Sequence, residues 1–599
     1  MTHSRSKPLL GANVTAAGVQ FGVWAPNAKT ISLILDGDRA LEMSRLDDGV
    51  FSLNVADAAA GSRYAYLVDD AGPFPDPRSR FQPDGVHGSS EVIDPDPFVW
   101  SDSAWSGISG DGLVIYELHI GTMTPEGTFL GLIEHLPYLA DLGITAIEIL
   151  PVAECTGRWN WGYDGVGLYA TSRNYGRPDE LRVLVDAAHA NGIGVILDVV
   201  YNHLGPDGNY LGVYSNQYSS EKHVNSWGAG LNWDGPGSEF VRQFAIDNAI
   251  QWIAEYHIDG LRLDATHAIV DDSPVHLVQA LTAAARAAAG DRQIFIVAED
   301  ERRDIVRVRS ESRDGEGLDA VWADDFHHEV RVLLTNAQEN YYSAYSGTTS
   351  AIATAINDGF GDGGFERGTP PTPTDSASNF VFCIQNHDQI GNRPFGERLH
   401  HDISEDRYAV ASTLLLFAPE TPLLFMGQEF AASTPFLYFT DHPEELGRLV
   451  TQGRRKEFSG FRLFDDPELR ETIPDPQGES TFTSSILNLD EREQNFRILE
   501  LYRDLIRLRS IDVVLSANDR QTTKASWLTA QVVAVHRWRG DAHRLLIANF
   551  GGAVSLTMPD DLATVGRWDS MFATSPVTPV LSDSNIEMPP RSAAILQSN

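Results

Sequence analysis

The sequence predicts an α/β protein: a (β/α)8 TIM barrel flanked by an N-terminal β-sandwich and a C-terminal β-domain. Three observations carry that expectation. From Leu113 onward, eight short apolar runs alternate with helical windows, the pattern of a parallel sheet wound into a barrel. Before them lie short runs of alternating polarity punctuated by turns, and after about residue 525 short strands return. The expected domain bounds are 1–100, 101–515 and 516–599.

In the first domain the strand candidates are 19–24, 30–35, 50–55 and 64–68. Ala25-Pro26-Asn27, Asp36-Gly37-Asp38 and Asp48-Gly49 separate them as turns, which reads as a small sandwich. Phe74-Pro75-Asp76-Pro77 and Asp94-Pro95-Asp96-Pro97 then mark an extended linker. Trp24 or Tyr66 could stack on sugar, although packing is the commoner use of such rings.

The barrel strand candidates are 114–120, 146–151, 194–201, 260–265, 294–298, 320–323, 380–384 and 422–426. Helical windows include 129–142, 178–191, 239–257 and 407–417. In 239–257, Phe240, Phe244, Ile250, Trp252 and Ile253 give a broad apolar stripe. An open doubly wound sheet is the alternative, but no glycine-rich phosphate loop follows the first strand. Long insertions at 204–237 and 426–483 follow the third and eighth strands, so both are expected on the catalytic face. Strand candidates at 531–538, 544–550 and 592–596 complete the C-terminal domain.

A net charge of −38 argues against nucleic acid or an anionic membrane as a partner and suits a neutral substrate. Two distant cysteines, Cys155 and Cys383, form no disulfide framework and fit a reducing compartment. The polar start of the chain lacks the apolar core of a signal peptide, and no run approaches the ~18 apolar residues that span a bilayer. A soluble, cytoplasmic protein is expected.

Polar residues gather where the barrel strands end. In Gly260-Leu261-Arg262-Leu263-Asp264-Ala265-Thr266-His267, alternation places Arg262 and Asp264 on one face; a carboxylate beside a guanidinium stays ionised, as a nucleophile must. A buried structural ion pair is the plainer reading of the same two residues. Asp198-Val199-Val200-Tyr201-Asn202-His203 closes the third strand, with Asp198 placed to orient its neighbours and His203 to bind a hydroxyl. Glu299 follows an apolar run at the end of the fifth strand, where desolvation and the Asp264 charge would raise its pKa, as a general acid requires. Asp300, one residue on, is its rival on the opposite face. Gln385-Asn386-His387-Asp388-Gln389 ends the seventh strand and runs on into Ile390-Gly391-Asn392-Arg393. No His-rich or Cys-rich ligand spacing accompanies these residues, so no metal is expected.

Together the clusters after strands three, four, five and seven resemble the four sequence signatures of the α-amylase family of glycoside hydrolases. That resemblance implies the barrel, a retaining mechanism and no cofactor. It implies that Asp264 is the nucleophile, Glu299 the general acid/base and Asp388 the transition-state stabiliser. Arg262, His203 and His387 match positions that hold the sugar at the cleavage point, Tyr163 beside Asp164 matches a stacking residue, and Leu263, Ala265, Thr266 and His267 flank the nucleophile. Further stretches resemble a narrower group of that family, acting on maltooligosaccharides capped by trehalose (maltooligosyltrehalose). They are Tyr116-Glu117-Leu118-His119-Ile120-Gly121-Thr122, Arg158-Trp159-Asn160-Trp161-Gly162-Tyr163-Asp164, Asp324-Asp325-Phe326-His327-His328, His387-Asp388-Gln389-Ile390-Gly391-Asn392 and Ile473-Pro474-Asp475-Pro476-Gln477. Val152-Ala153-Glu154-Cys155-Thr156-Gly157 departs from the more apolar segment expected there. The narrower likeness implies a partner enzyme that builds the trehalose cap. It also places Asp324, Asp325, His327, His328, Gln389 and Asn392 toward the leaving group, although the Asp324 run could equally be an acidic helix start with solvent histidines. Trp159, Trp161, Trp227, Trp233, Tyr210 and Tyr214 are divided between sugar stacking and loop packing. The rival readings are a glucan branching transferase, in which a sugar hydroxyl replaces water, and a non-catalytic α-glucan-binding protein, which would lack a catalytic carboxylate.

Overall fold

Eight parallel strands close into a barrel in the order in which they occur. They are β1 (Ile115–Leu118), β2 (Ala146–Ile149), β3 (Gly194–Val199), β4 (Gly260–Leu263), β5 (Phe295–Ala298), β6 (Ala320–Trp322), β7 (Phe380–Cys383) and β8 (Thr421–Phe425). The computed structural model describes residues 9–225, 228–313, 315–363, 368–458, 472–577, 579–581 and 585–598. Every expected barrel strand is present, most of them trimmed at their ends. These strands are apolar because both faces of a barrel sheet are covered.

Register decides which side chains meet inside. Glu117 lies beside Glu148, Asp198 beside Arg262 and Leu263 beside Ala298, and Tyr116 beside Leu424 closes the ring. Ile115, Ala146, Ile196, Val297, Trp322 and Cys383 pack together in one apolar cluster of the barrel. Two residues on, alternation substitutes Glu117, Glu148, Asp198, Glu299, Asp324 and Gln385. The interior therefore turns from dry to charged toward the C-terminal ends of the strands.

Helices Pro178–Ala190, Ser238–Glu255, Leu277–Ala289, Asp324–Thr335, Glu405–Phe417 and Phe496–Ile511 surround the barrel. The window 129–142 divides into Phe129–Ile133 and Leu136–Leu142, because Pro137 cannot donate a backbone bond within a continuous helix. Among the described residues between β5 and β6 the helical elements are the 3-10 turns Ile305–Val308 and Glu311–Arg313. The insertion at 204–237 contains a hairpin, Ser219–Asn225 with Gly228–Leu231, that the sequence reading left as loop. Helix Glu444–Glu457 lies in the insertion at 426–483.

The N-terminal region is a sandwich. One sheet contains Gly11–Thr15, Gly18–Trp24, Val50–Val55 and Ser44–Arg45, and the other Arg39–Glu42, Ile31–Leu35, Arg63–Val68 and Ala71–Phe74. Trp24 and Tyr66 are 4% and 0% exposed, so both serve packing. At the C-terminus a five-stranded and a three-stranded sheet lie between Thr523 and Ser598. Among the described residues no helix is long and apolar enough to cross a membrane.

Candidate active site

Arg262 is the pivot of the barrel mouth. Gly260 lets β4 run close against β5: a Cβ there would lie 2.2 Å from the Phe295 carbonyl oxygen. Two residues later Arg262 is 1% exposed, with its guanidinium 4.4 Å from the Trp322 ring centroid. Its Nη1 donates to Asp264 Oδ1 and to Asp198 Oδ2, each at 2.7 Å, and its Nη2 donates to Glu299 Oε2 at 2.9 Å. One cation thus binds three carboxylates. Asn202 Nδ2 donates to the other Asp264 oxygen at 2.7 Å. Ala265 takes the left-handed conformation (φ 40°), turning the chain so that its N–H donates to Glu299 Oε2 at 2.8 Å.

Glu299 and Asp300 have opposite surroundings. Burial raises the Glu299 pKa to about 8; Arg262 opposes the rise, and the charges of Asp264 and Asp388 add to it. With 21% of its side chain exposed, Glu299 still reaches the mouth. Asp300 accepts from Thr266 Oγ1 at 2.8 Å and Arg302 Nε at 2.9 Å. Burial works against its charge, but Arg302 prevails and holds its pKa low. Of the two, Glu299 is therefore the group able to keep a proton beside Asp264.

A second chain of bonds reaches the same guanidinium from β7. Glu117 accepts from the His387 backbone N–H at 2.8 Å and from its ring Nδ1 at 2.5 Å. His387 Nε2 lies 2.8 Å from Tyr163 Oη, which donates to Asp198 Oδ2 at 2.6 Å. Burial resists a charge on His387, but the Glu117 carboxylate overrides it and raises the imidazole to about 9. Burial pushes Asp198 up to about 6 in spite of Arg262. Asp388 lies in the first turn of the short helix His387–Gly391, which is capped by Asn386 accepting from Gln389 N at 2.8 Å. Asn392 Nδ2 donates to Asp388 Oδ1 at 2.7 Å.

The remaining expected residues divide by place. His203 contacts Asn202 and the Tyr163 carbonyl, and Asp164 accepts from Asn160 at 2.7 Å. Thr266 Oγ1 bridges the Glu299 carbonyl and Asp300, His267 faces Glu301, and Leu263 is buried. Asp324 is half-buried, and burial with the nearby Asp388 charge raises it to about 7. Asp325 is buried, and its carboxylate binds Arg303 at 2.8 Å, Tyr345 Oη at 3.0 Å and Gly361 N at 2.8 Å. Phe326 stacks on Phe382, and His327 and His328 are buried against each other rather than open to solvent. Gln389 Oε1 accepts from Tyr341 at 2.8 Å and Tyr342 at 3.2 Å, Ile390 is buried, and Gly391 lies against Trp161.

Asn202, Glu117, Trp322 and Tyr341 had no role in the sequence reading, although Glu117 and Asn202 lie inside motifs it singled out. Trp159, Trp161, Trp233 and Tyr214 are buried packing residues, Tyr210 contacts His87, and Trp227 lies outside the described residues. One His/Asp group, His223, Asp234 and Asp272, has ligand atoms close enough to share an ion, but the Lys222 ammonium already bridges its two carboxylates. A cavity of about 1730 Å³ lies between the sandwich and helix Ser238–Glu255, away from the carboxylates. In its walls Arg78 pairs with Asp247 and Arg80 with Glu255.

Residues 92–229 match the model of the alpha-amylase catalytic domain, and residues 9–95 match carbohydrate-binding module 48, the isoamylase N-terminal domain. The chain is 45% identical to a malto-oligosyltrehalose trehalohydrolase of Deinococcus radiodurans, over 89% of this chain and 88% of that one. It belongs to the malto-oligosyltrehalose trehalohydrolase family. A Rhizobium member is 41% identical over 99% of both chains. A solved structure from Salmonella typhimurium, called an alpha amylase, superimposes with a TM-score of 0.89 at 35% identity, covering 98% of this chain and 99% of that one. The two matched stretches thus fall on the N-terminal sandwich and on the first three strands of the barrel.

Proposed function

We propose that this chain is a retaining glycoside hydrolase that cuts the α-1,4 bond next to the terminal trehalose of maltooligosyltrehalose. The observation that carries this reading is the single Arg262 guanidinium joining Asp264 to Glu299 at 2.7 and 2.9 Å. In one step Asp264 attacks the anomeric carbon, the C–O bond to trehalose breaks, and Glu299 gives its proton to the leaving oxygen. Glu299 then takes a proton from water, which attacks the glycosyl-enzyme and frees Asp264. Asp388, beside both Asp324 and Glu299, stabilises the positive charge that develops on the sugar ring. His387 and Tyr163 form the wall on which that sugar lies.

On the leaving-group side, the half-open Asp324 is the best placed member of its cluster to accept hydrogen bonds from trehalose hydroxyls. Asp325, His327 and His328 act from beneath, by holding that helix start. The reaction needs a partner that makes the trehalose cap, a maltooligosyltrehalose synthase. We place both enzymes in the cytoplasm, in keeping with the unpaired, buried Cys155 and Cys383.

The test is to incubate the protein with a trehalose-capped maltooligosaccharide and, separately, with amylose. Free trehalose, with the new reducing end first appearing as the α-anomer, is expected from the capped substrate. New branch points in amylose would replace this reading with a branching transferase. Binding without turnover would replace it with a glucan-binding protein.

A further inference from the structure

Among the described residues, Arg454 links the insertion after β8 to the seventh-strand cluster. Arg454, near the end of helix Glu444–Glu457, is 11% exposed and lies between Tyr438 and Phe458, 4.8 Å from each ring centroid. Its Nη1 donates to Asn392 Oδ1 at 2.7 Å, and its Nη2 donates to the Gly391 carbonyl. Asn392 Nδ2 in turn donates to Asp388 Oδ1 at 2.7 Å. On its other side the Gly391 backbone presses against Trp161, where a Cβ would come within 2.1 Å of the ring.

Chemistry fixes the direction of this relay. A guanidinium only donates, so Asn392 must present its oxygen to Arg454 and therefore its NH2 to Asp388. Without Arg454 the Asn392 amide oxygen loses its anchor, and the amide is tied to the Asp388 carboxylate by its NH2 alone, free to swing with it. From this arrangement we infer that Arg454 is a positioning residue for the reaction: it sets the orientation of the Asn392 amide and through it the Asp388 carboxylate. Asp388 then receives its donor on Oδ1 and keeps its other oxygen for the sugar. Helix Glu444–Glu457 is itself braced for this task, since Thr451 donates to Asp475 at 2.7 Å and Asp475-Pro476-Gln477 lines the turn beneath it.

The inference rests on the proposed glycosidase reading. Its test is a double-mutant cycle of Arg454→Met with Asn392→Ala, followed on the capped substrate and on amylose. Each single change is expected to lower kcat by about tenfold or more with KM within about twofold, the signature of a group displaced in the transition state. The double variant is expected to lose no more than the worse single variant. Multiplying losses, or a wild-type kcat in Arg454→Met, would overturn the inference. Should Arg454→Met fail to fold, Arg454→Lys serves instead. It keeps the cation between Tyr438 and Phe458 but lacks the planar fork whose two nitrogens reach Gly391 and Asn392, and a wild-type kcat there would also overturn it. If the wild-type protein releases no trehalose, the functional reading fails by itself. The cycle is then read on whichever α-1,4-glucan the protein turns over.

Discussion

Arg262 sets one positive charge against Asp198, Asp264 and Glu299, and that imbalance creates the chemistry. One guanidinium cannot neutralise three carboxylates in a buried site, so the group with the weakest compensation keeps a proton. Asp264 has a second donor in Asn202, whereas Glu299 has one backbone N–H and faces two other acids. A pKa raised to about 8 keeps Glu299 protonated through neutral pH and releases the proton above it. The logarithm of kcat/KM is therefore expected to be level near pH 7 and to fall with unit slope above about 8. Were the carboxyl unshifted near ~4.3, the fall would begin some four units lower. Glu299→Gln should remove this alkaline limb along with roughly 10²–10⁴-fold in rate. A limb that persisted would belong to another group, with His387 the next to examine. Asp264→Asn keeps the shape of the site but cannot attack, so turnover should nearly vanish while sugar binding, followed by calorimetry, survives.

At the scale of elements, helix start Asp324–Asp325 divides two jobs between adjacent residues. Asp325 pairs with Arg303 where both are buried, so Asp325→Ala leaves a buried cation without its partner. The expected cost is about 3–5 kcal/mol of stability, measured by denaturant unfolding. Unchanged stability with lost preference for the capped substrate would instead move Asp325 onto the sugar. This division was not legible in the sequence, where both residues are simply aspartates ahead of a helix; helical periodicity separates them only once the direction of the mouth is known. The barrel strands were legible because a strand covered on both faces must be apolar throughout, and their polar ends then stood out. Strand alternation placed Glu299 and Asp300 on opposite faces, but the preference for Glu299 came from its apolar approach, the neighbouring Asp264 charge and the family resemblance. The hairpin at Ser219–Asn225 escaped notice because Ser219-Ser220-Glu221-Lys222-His223-Val224-Asn225 has almost no apolar alternation. Asn202, Glu117 and Arg454 escaped for a different reason: their partners lie 62, 270 and 62 residues away.

Across the whole molecule, the sandwich and the barrel are joined by aromatic packing that leads toward the site. Trp24 stacks on Phe240 with centroids 4.7 Å apart and planes 7° apart, and meets Tyr218 edge-on at 5.3 Å. Phe240 lies at the start of helix Ser238–Glu255, and the chain leaving that helix passes through Asp259 into β4 and Arg262. Asp259 is held by Trp105 Nε1 at 2.8 Å and by the Val195 N–H at 2.9 Å, which pins the base of β3 and β4. The N-terminal domain thus supports the frame of the carboxylates from behind, and Trp24 is a structural anchor. Trp24→Ala should cost about 3–5 kcal/mol, as for other buried aromatic truncations, and should lower Tm. Because the base of the barrel is pinned independently at Asp259, kcat/KM below the transition should stay within about twofold of wild type for short and long substrates alike. The opposite pattern, an unchanged Tm with KM rising for long glucans only, would mean that the ring leaves its packing to bind sugar. Calorimetry and kinetics on the same preparation separate the two outcomes, since a residue 4% exposed cannot serve both roles at once.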